Sequence, residues 1–163
     1  MPTITIEPLI RRPFAEFGDI IQATPEVRSF LINKGNARRF HDLATVVANG
    51  EDARAIISII RAKPYCLPLT LSMLERHPFG SQAFMPLKPA RFLAIVAPDD
   101  HGIPGVARAF MVGPNQGVNY FANVWHAVLT PLDAETDFLV VDREGEGKNL
   151  ETFDLSDPYI IEQ

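Results

Sequence analysis

Proline and glycine interrupt this chain along its whole length and limit how long any regular element can be. The 163 residues include fourteen prolines and ten glycines. Few uninterrupted windows remain in which an amphipathic helix could offset its nucleation cost, whereas short strands fit between the breakers. The spacing of these residues therefore predicts a mainly β protein.

The apolar runs between the breakers have the length and composition of strands. The segment 53–61 fits either helical or strand periodicity, but its four isoleucines favour a strand. Seven such runs, each bounded by Pro, Gly, Asn or Asp, are ARAIISIIRA, LPLTLSMLERH, SQAFMPL, ARFLAIVAP, ARAFMVG, WHAVLTPL and DFLVVDRE. Seven short strands at fairly regular spacing are typical of a sandwich or a closed barrel.

The two ends of the chain are less strand-like than the middle. Residues 3–6 predict an opening strand, and residues 13–18, with proline at an early position and glycine at the stop, predict one short helical turn. We expect residues 1–50 to flank the outside or mouth of a barrel built from residues 53–155, and the C-terminal DLSDPYIIEQ to form an extended tail. No linker or repeat divides the chain, which predicts a single domain over residues 1–163.

Charge and motif content disfavour several classes of function. The 20 acidic residues outnumber the 15 basic ones, giving a formal net charge of −5, and no dense Lys/Arg block is present to follow a phosphate backbone. We therefore expect no nucleic-acid partner. The motifs GxxxxGK[ST], GxGxxG, GxSxG and CxxC are absent, which disfavours nucleotide binding and serine-hydrolase chemistry.

Cysteine content and hydropathy indicate the compartment. Cys66 is the only cysteine, so an intramolecular disulfide is impossible. Its apolar neighbours predict a buried, unreactive thiol. The N-terminus alternates polar and apolar residues, unlike a targeting signal, and no apolar run approaches the length of a membrane span. These features predict a cytoplasmic protein without membrane contact.

The strand LTLSMLERH carries the first candidate site. Side chains alternate along a strand, which places Leu71, Met73, Glu75 and His77 on one side and Arg76 on the other. A carboxylate beside an imidazole can act as a general acid/base pair or as two ligands of a divalent metal. The alternative for Glu75 and His77 is an ordinary surface ion pair.

His126 is the second candidate, lying among apolar neighbours directly after Trp125, the only tryptophan. Such a histidine is either a ligand or a core or interface residue held by one hydrogen bond. In a closed barrel, the inward positions of distant strands converge. We therefore expect His77 and His126 to meet across a small lumen, with Glu75 and Gln82 completing the set.

The stretch INKGNARRFHDLATV places Arg38, Arg39, His41 and Asp42 within a few residues. An arginine fork is suited to holding a substrate carboxylate at two points. A short mixed-charge run is equally typical of a solvated polar turn, and both interpretations stay open here.

Several ordered strings of this sequence resemble the ureidoglycolate lyase family. They are ERHPFGSQAFMPL, FLAIVAPDD, GVNYFANVWHAVL and DFLVVDRE, with INKGNARRFHDLA nearer the start, and together they span nearly the whole chain. The resemblance implies a cupin-like double-stranded β-helix, or jelly-roll barrel, with a few short helices near the N-terminus. It also implies a homodimer that splits ureidoglycolate into glyoxylate and urea in allantoin breakdown.

The resemblance further assigns residues to the site. Glu75, His77, Gln82 and His126 stand where cupins place their inward ligand set. This implies that Glu75, His77 and His126 are catalytic and hold a divalent metal, with nickel the metal associated with the family. The sequence departs from the usual first motif of metal-binding cupins, in which two histidines one residue apart are followed by a glutamate.

The implied substrate carries a hydroxyl and a ureido group on one carbon beside a carboxylate. A base must take the hydroxyl proton as the carbonyl forms, and an acid must protonate the departing urea nitrogen. We expect Arg39 to hold the substrate carboxylate, because strand alternation turns Arg76 away from Glu75. Gln82 and Asn119 are the other expected substrate contacts.

Two other kinds of function stay open. A barrel of this type can bind glyoxylate or another small oxoacid without turnover, or it can be a different enzyme, either an amidohydrolase acting on the same substrate or a sugar-modifying cupin. The lyase would release urea and the amidohydrolase ammonia. A purely structural dimerisation domain is disfavoured, because Glu75, His77 and His126 would then be costly polar residues on apolar faces.

Overall fold

Short β-strands make up most of the structure, a computed structural model that describes all 163 residues. In chain order the sixteen strands are β1 (Thr3–Pro8), β2 (Gly18–Ile21), β3 (Ser29–Ile32), β4 (Ala37–Phe40), β5 (Arg54–Ala62), β6 (Leu69–Arg76), β7 (Gln82–Pro86), β8 (Phe92–Ala97), β9 (Asp99–Asp100), β10 (Ile103–Pro104), β11 (Arg108–Val112), β12 (Gly117–Tyr120), β13 (Trp125–His126), β14 (Thr130–Pro131), β15 (Thr136–Glu144) and β16 (Glu151–Glu162). The helical elements are one α-helix, α1 (Arg11–Phe14), and a 3₁₀ turn (Asn33–Gly35). Neither has the length needed to cross a membrane.

Six strands close into a barrel. They follow the order β11-β1-β16-β6-β13-β8, and β8 pairs back onto β11, while the short β14 is attached to β8. Leu74, Ile95, Trp125 and Ile161 belong to the apolar cluster that fills this barrel. The predicted mainly β, cupin-like barrel is confirmed.

A second sheet, ordered β2-β12-β7-β15-β5, packs against the barrel over a second apolar core. In this core the Phe92 ring of β8 meets the Phe138 ring of β15 edge-on, with centroids 5.1 Å apart. Strand β8 lies between the two cores, and all six of its residues are buried. A strand covered on both faces has no solvated side, which explains why FLAIVA contains no polar residue.

Several strands differ from those predicted. The C-terminal segment expected to be a tail is β16, which pairs with β1 on one side and β6 on the other. The run WHAVLTPL forms two separate two-residue strands, both paired to β8. Strand β1 completes the barrel, and β2 belongs to the second sheet. Residues 1–50, predicted only to flank the barrel, thus contribute strands to both sheets. In each case the pairing partner lies far away in sequence, where a local pattern gives no signal.

Strand β6 does not alternate regularly. Leu71 and Leu74 both lie in the barrel core, although strict alternation predicts opposite sides. The pairing with β16 is irregular at this point, since the register jumps between Asp154 and Tyr159. The predicted shared face of Leu71 and Glu75 is therefore wrong, because Leu71 packs with Leu74 in the barrel core and the period of two is interrupted where the pairing of β6 with β16 is irregular.

Two further local predictions need correction. The short helix near the N-terminus exists, but it runs from Arg11 to Phe14 and has ended before Gly18, which begins β2. Pro13 is tolerated inside it because the first turn of a helix leaves its N–H groups without partners. Cys66 was predicted to be buried but is exposed, because it lies in the loop between β5 and β6.

Candidate active site

Glu75, His77 and His126 converge beside the core that the two sheets share. Glu75, at the end of β6, lies directly opposite His126 of β13 in the antiparallel register, and His77 follows β6. Their potential ligand atoms all lie within 4.8 Å of one another. The centroids of the two imidazole rings are 5.3 Å apart. The structure thus brings together the three residues that the sequence singled out, but they meet through the neighbouring strands β6 and β13 and not across a barrel lumen, which apolar side chains fill.

Backbone carbonyls set the orientation of both imidazoles. The Nδ1–H of His77 donates to the carbonyl oxygen of Asn149 at 2.8 Å, and the Nδ1–H of His126 donates to that of Ala127 at 3.0 Å. Each Nε2 atom is buried and has no hydrogen-bond partner. A neutral imidazole that donates from Nδ1 carries its lone pair on Nε2. Both histidines therefore present a free nitrogen acceptor.

Gln82, the first residue of β7, adds a third unpaired acceptor. Its side-chain amide donates to the Asp142 carboxylate at 3.2 Å, and this contact leaves its Oε1 atom buried and without a partner. Buried polar atoms are paired in the great majority of cases. Unpaired atoms on Gln82, His77 and His126 together are the pattern expected where a metal ion or a polar substrate binds.

Tyr120 belongs to this group but was not predicted from the sequence. Its ring stacks on the His126 imidazole with a centroid distance of 4.7 Å and an interplanar angle of 12°. Strand β12, which carries Tyr120, follows the turn residues at Gly113–Asn115 and did not form one of the seven recognised runs. Recognition of β12 as an alternating strand would have placed Tyr120 and Asn119 on opposite faces.

Burial controls the ionisation of the site. Desolvation raises the pKa of Glu75, and the neighbouring His77 imidazole opposes this effect in part. Desolvation lowers the pKa of His126 to about 4, partly offset by its bond to the Ala127 carbonyl. Burial and the nearby Glu75 charge raise the pKa of Tyr120. At neutral pH, His126 is thus a neutral base and Tyr120 a neutral hydroxyl donor.

The side chains of this group fit a divalent metal. Two imidazole Nε2 atoms with their Nδ1–H groups bound to carbonyls are the usual presentation of histidine ligands, and Glu75 supplies a carboxylate oxygen. Nitrogen and oxygen donors of this kind suit first-row metals such as nickel or zinc. The chemistry of the donor set therefore supports the predicted metal group of Glu75, His77 and His126.

The opposite face of the same strands carries an ion-pair network. Arg76 donates through Nε to Glu151 and through Nη1 to Asp99, each at 2.6 Å. Its guanidinium carbon lies 4.5 Å from the centroid of the Trp125 ring, whose indole N–H donates to Asp99 at 2.8 Å. Arg76 is therefore turned away from the site, as the alternation predicted, and holds β6 against its neighbours.

Two of the predicted substrate contacts lie apart from this cluster. Arg39 is exposed on β4, paired in register with Phe30 of β3, and its side chain makes no hydrogen bond. The Asn119 amide is buried and donates to Asp19 at 3.1 Å and to the Thr45 carbonyl at 3.0 Å. Their roles in substrate binding stay predictions, and so does that of Gln82, which pairs in register with Tyr120, the residue whose ring stacks on His126.

An open cavity lies elsewhere on the surface. It has a volume of about 490 Å³ and is lined by ten residues, among them Arg61, Lys88, Asp133 and Asp137, and by none of the clustered histidines. Two of its charged groups, Arg61 and Asp137, pair with each other at 2.7 Å. We therefore locate the candidate site by the convergence of Glu75, His77 and His126 and not by cavity size, although His41 Nδ1 and Asn119 Oδ1 are also buried without a partner.

Comparison with known proteins identifies the family. The family model described as ureidoglycolate lyase matches residues 1–162. Ureidoglycolate lyase of Chelativorans sp. strain BNC1 is 59% identical over 99% of this chain and 97% of its own length. Ureidoglycolate lyase of Mesorhizobium japonicum is 53% identical over 99% and 98%, and ureidoglycolate lyase 2 of Rhizobium meliloti is 49% identical over 99% of both chains. The chain belongs to the ureidoglycolate lyase family.

Proposed function

We propose that this protein is a lyase that splits ureidoglycolate into glyoxylate and urea, as a step of allantoin breakdown. The observation that carries the proposal is the convergence of Glu75, His77 and His126, with two unpaired Nε2 atoms, in a chain of this family. The reaction removes the hydroxyl proton, forms the carbonyl, breaks the bond from carbon to nitrogen and adds a proton to the departing nitrogen. It requires one base and one acid.

The histidines supply the proton acceptor. His77 and His126 each offer a neutral Nε2 lone pair, and we place the substrate hydroxyl between them. Because burial lowers the pKa of His126 to about 4, this imidazole stays unprotonated at neutral pH and is available to accept a proton. Loss of the hydroxyl proton leaves an electron pair that forms the carbonyl of glyoxylate.

Glu75 supplies the proton for the leaving group. Burial raises the pKa of this carboxyl, so it holds a proton at higher pH than an exposed glutamate does. We propose that it protonates the ureido nitrogen as the bond to carbon breaks, since loss of urea as an anion would be prohibitive. The free Oε1 of Gln82 is placed to accept a hydrogen bond from a ureido N–H.

A divalent metal, for which we propose nickel, would be held by His77, His126 and Glu75, and these side chains would then act as its ligands in place of the proton-transfer roles given above. When bound, it would lower the pKa of the substrate hydroxyl and reduce the strength of base needed. The Tyr120 ring stacks on the His126 imidazole. Its neutral hydroxyl adds a hydrogen-bond donor for the developing carbonyl oxygen or the substrate carboxylate.

The test is a coupled assay for glyoxylate and urea. Each enantiomer of ureidoglycolate is supplied with nickel or with a chelator, beside a control for spontaneous decay. We expect equimolar release of both products well above the control, for one enantiomer preferentially. Release of ammonia in place of urea would indicate an amidohydrolase, and saturable glyoxylate binding without product would indicate a binding protein.

A histidine pair gives the matched variants. His77→Ala should abolish turnover while the fold is retained, because it removes one free Nε2 acceptor. His101→Ala is the control, since His101 has 98% of its side chain exposed in the loop between β9 and β10. Near-normal activity of His77→Ala would remove this residue from the mechanism.

We further propose that the protein is a homodimer that works in the cytoplasm. Strand β5 is an edge of the second sheet, and its outer residues Ile57 and Ile59 are 73% and 62% exposed. A long edge strand with exposed isoleucines is the kind of surface that a second subunit covers. The single cysteine suits a reducing compartment. Sedimentation of Ile57→Lys beside the parent chain tests the dimer, since a charge there should yield monomers.

A further inference from the structure

The segment from Gly145 to Asn149, which we call the strap, joins β15 to β16 and lies against His77. Asn149 binds the region after β6 at two points. Its carbonyl oxygen accepts the Nδ1–H of His77 at 2.8 Å, and its side-chain Oδ1 accepts the backbone N–H of Phe79 at 2.8 Å. One residue thus bonds both the imidazole and the turn of chain that follows it.

Arg143 anchors the strap from the other side. It is only 7% exposed, forms no ion pair, and donates to two backbone carbonyls, Asn49 through Nε and Glu146 through Nη2, each at 2.6 Å. A guanidinium buried without a carboxylate is expensive and occurs where its hydrogen bonds have a specific purpose. Here the bonds fix the position of the strap relative to the segment that precedes β5.

The Phe79 ring completes the contact. The Arg143 guanidinium lies 5.2 Å from its centroid, and a Cβ atom on Gly147 would stand 3.2 Å from its edge. Gly147 also has a φ of +87°, which a larger residue adopts only with strain. The strap therefore passes directly over Phe79, which both Arg143 and Asn149 contact, and Asn149 also bonds His77 on the other side of Pro78.

We propose that Asn149 is a positioning residue, which holds His77 with its proton on Nδ1 so that the Nε2 lone pair faces the site, while Arg143 anchors the strap that carries it. The hydrogen bond made by one ring nitrogen decides which nitrogen of a neutral imidazole bears the proton. The hydrogen bond from the Phe79 N–H to the Asn149 side chain keeps the Asn149 carbonyl oxygen within hydrogen-bonding distance of the His77 Nδ1–H. The kinetic consequence rests on the proposed function, but the tautomer does not.

The experiment compares Asn149→Ala and Asn149→Asp in the full-length protein. Aspartate keeps an acceptor oxygen for the Phe79 N–H, whereas alanine does not. Long-range ¹H–¹⁵N NMR of the metal-free protein reports which ring nitrogen of His77 is protonated, and calorimetric titration with Ni²⁺ alone reports the affinity of the site. Lys148→Ala is the control, because Lys148 is exposed on the same strap and its side chain makes no hydrogen bond.

In the parent protein and in Asn149→Asp we expect His77 protonated on Nδ1. In Asn149→Ala we expect a mixture of tautomers, together with Ni²⁺ affinity and kcat reduced by about 10- to 100-fold and little change in KM. A folded Asn149→Ala protein with an unchanged tautomer and unchanged Ni²⁺ affinity would overturn the proposal. Finding His77 protonated on Nε2 in the parent protein would also overturn it. This measurement does not depend on whether any variant folds.

The two proposals fail separately. If the parent protein releases no urea from ureidoglycolate, the proposed activity is wrong, but the tautomer and the Ni²⁺ titration still decide the role of Asn149. Arg143→Lys gives a second approach, since lysine cannot donate to two carbonyls with a planar fork. We expect it to shift the His77 tautomer in the same direction as Asn149→Ala, and an unchanged tautomer would argue against the anchoring role of Arg143.

Discussion

Stability of the metal-free protein should fall on mild acidification because His126 is buried in its neutral form. Burial lowers the pKa of this imidazole from 6.5 to about 4. Each pH unit between these values is worth about 1.4 kcal/mol of difference between folded and unfolded states. The full contribution of His126 is therefore about 3 kcal/mol, a large share of the stability of a domain of this size.

The sign follows from which state binds the proton. Above pH 6.5, His126 is neutral in both states and contributes no pH dependence. Between pH 6.5 and about 4, the unfolded chain binds a proton there and the folded protein does not, so the free energy of unfolding falls as the pH falls. Below pH 4 both states are protonated and the loss is complete.

The assay is urea unfolding of parent and His126→Asn at a series of pH values from 8 to 4 with a chelator present, followed by the fluorescence of the buried Trp125. We expect the free energy of unfolding of the parent to fall by about 3 kcal/mol relative to the variant over this window. The titration of Glu75 changes the free energy of unfolding with the opposite sign. Because burial raises its pKa, the folded protein binds a proton at Glu75 at a higher pH than the unfolded chain does. This effect is present in both proteins and cancels in the difference.

His101→Asn is the matched control, because this histidine is almost fully exposed. The free energy of unfolding of His101→Asn should change with pH in the same way as that of the parent. If the free energy of unfolding of His126→Asn also changes with pH as that of the parent does, His126 binds a proton as readily in the folded protein as in the unfolded chain. That result would refute the assignment of His126 as a neutral base, and with it the ionisation that the mechanism requires.

Three smaller predictions concern the scaffold. Arg108 holds the pKa of Glu7 below its usual value. Glu7→Gln should therefore lower the free energy of unfolding in urea by about 1 kcal/mol or less at pH 7, and leave it unchanged once the pH is well below 4.5. A loss that persists in acid would contradict the ion pair. Gly18→Ala should lower thermal stability by about 3 kcal/mol or more, because its Cβ would stand 2.1 Å from the Asn119 carbonyl oxygen, and an unchanged melting temperature would show that β2 packs differently. Cys66, being exposed, should react with Ellman's reagent in the native protein nearly as fast as in urea, whereas a slow reaction would restore the buried thiol expected from its neighbours.

Local sequence patterns predicted strands in both the barrel and the second sheet. The four isoleucines of residues 53–61 correctly favoured a strand, which is β5, and FLAIVA correctly gave β8. β-Branched and aromatic residues pack well on a pleated surface, so such runs form strands whatever their partner is. Strand β16 could not be found in this way, because the acidic and proline residues of DLSDPYIIEQ are tolerated only through its pairing with β1 and β6.

The site was predictable only in part for a different reason. Glu75, His77 and His126 could be singled out because polar residues within apolar strands are unusual. Asn149 could not, since it acts on His77 through its backbone carbonyl, which every residue possesses. Tyr120 was missed because its contact with His126 depends on the packing of the second sheet against the barrel.

The position of Arg76 in the sequence, next to two residues of the candidate site, does not make its guanidinium available to a ligand there. Arg76 lies between Glu75 and His77, but every nitrogen of its guanidinium contacts Asp99 or Glu151. A fork that is already occupied by two carboxylates has no donor pair left for a third. Its contribution to the reaction is indirect: it fixes β6 on the face opposite the site, so that alternation along the strand turns Glu75 and His126 toward each other.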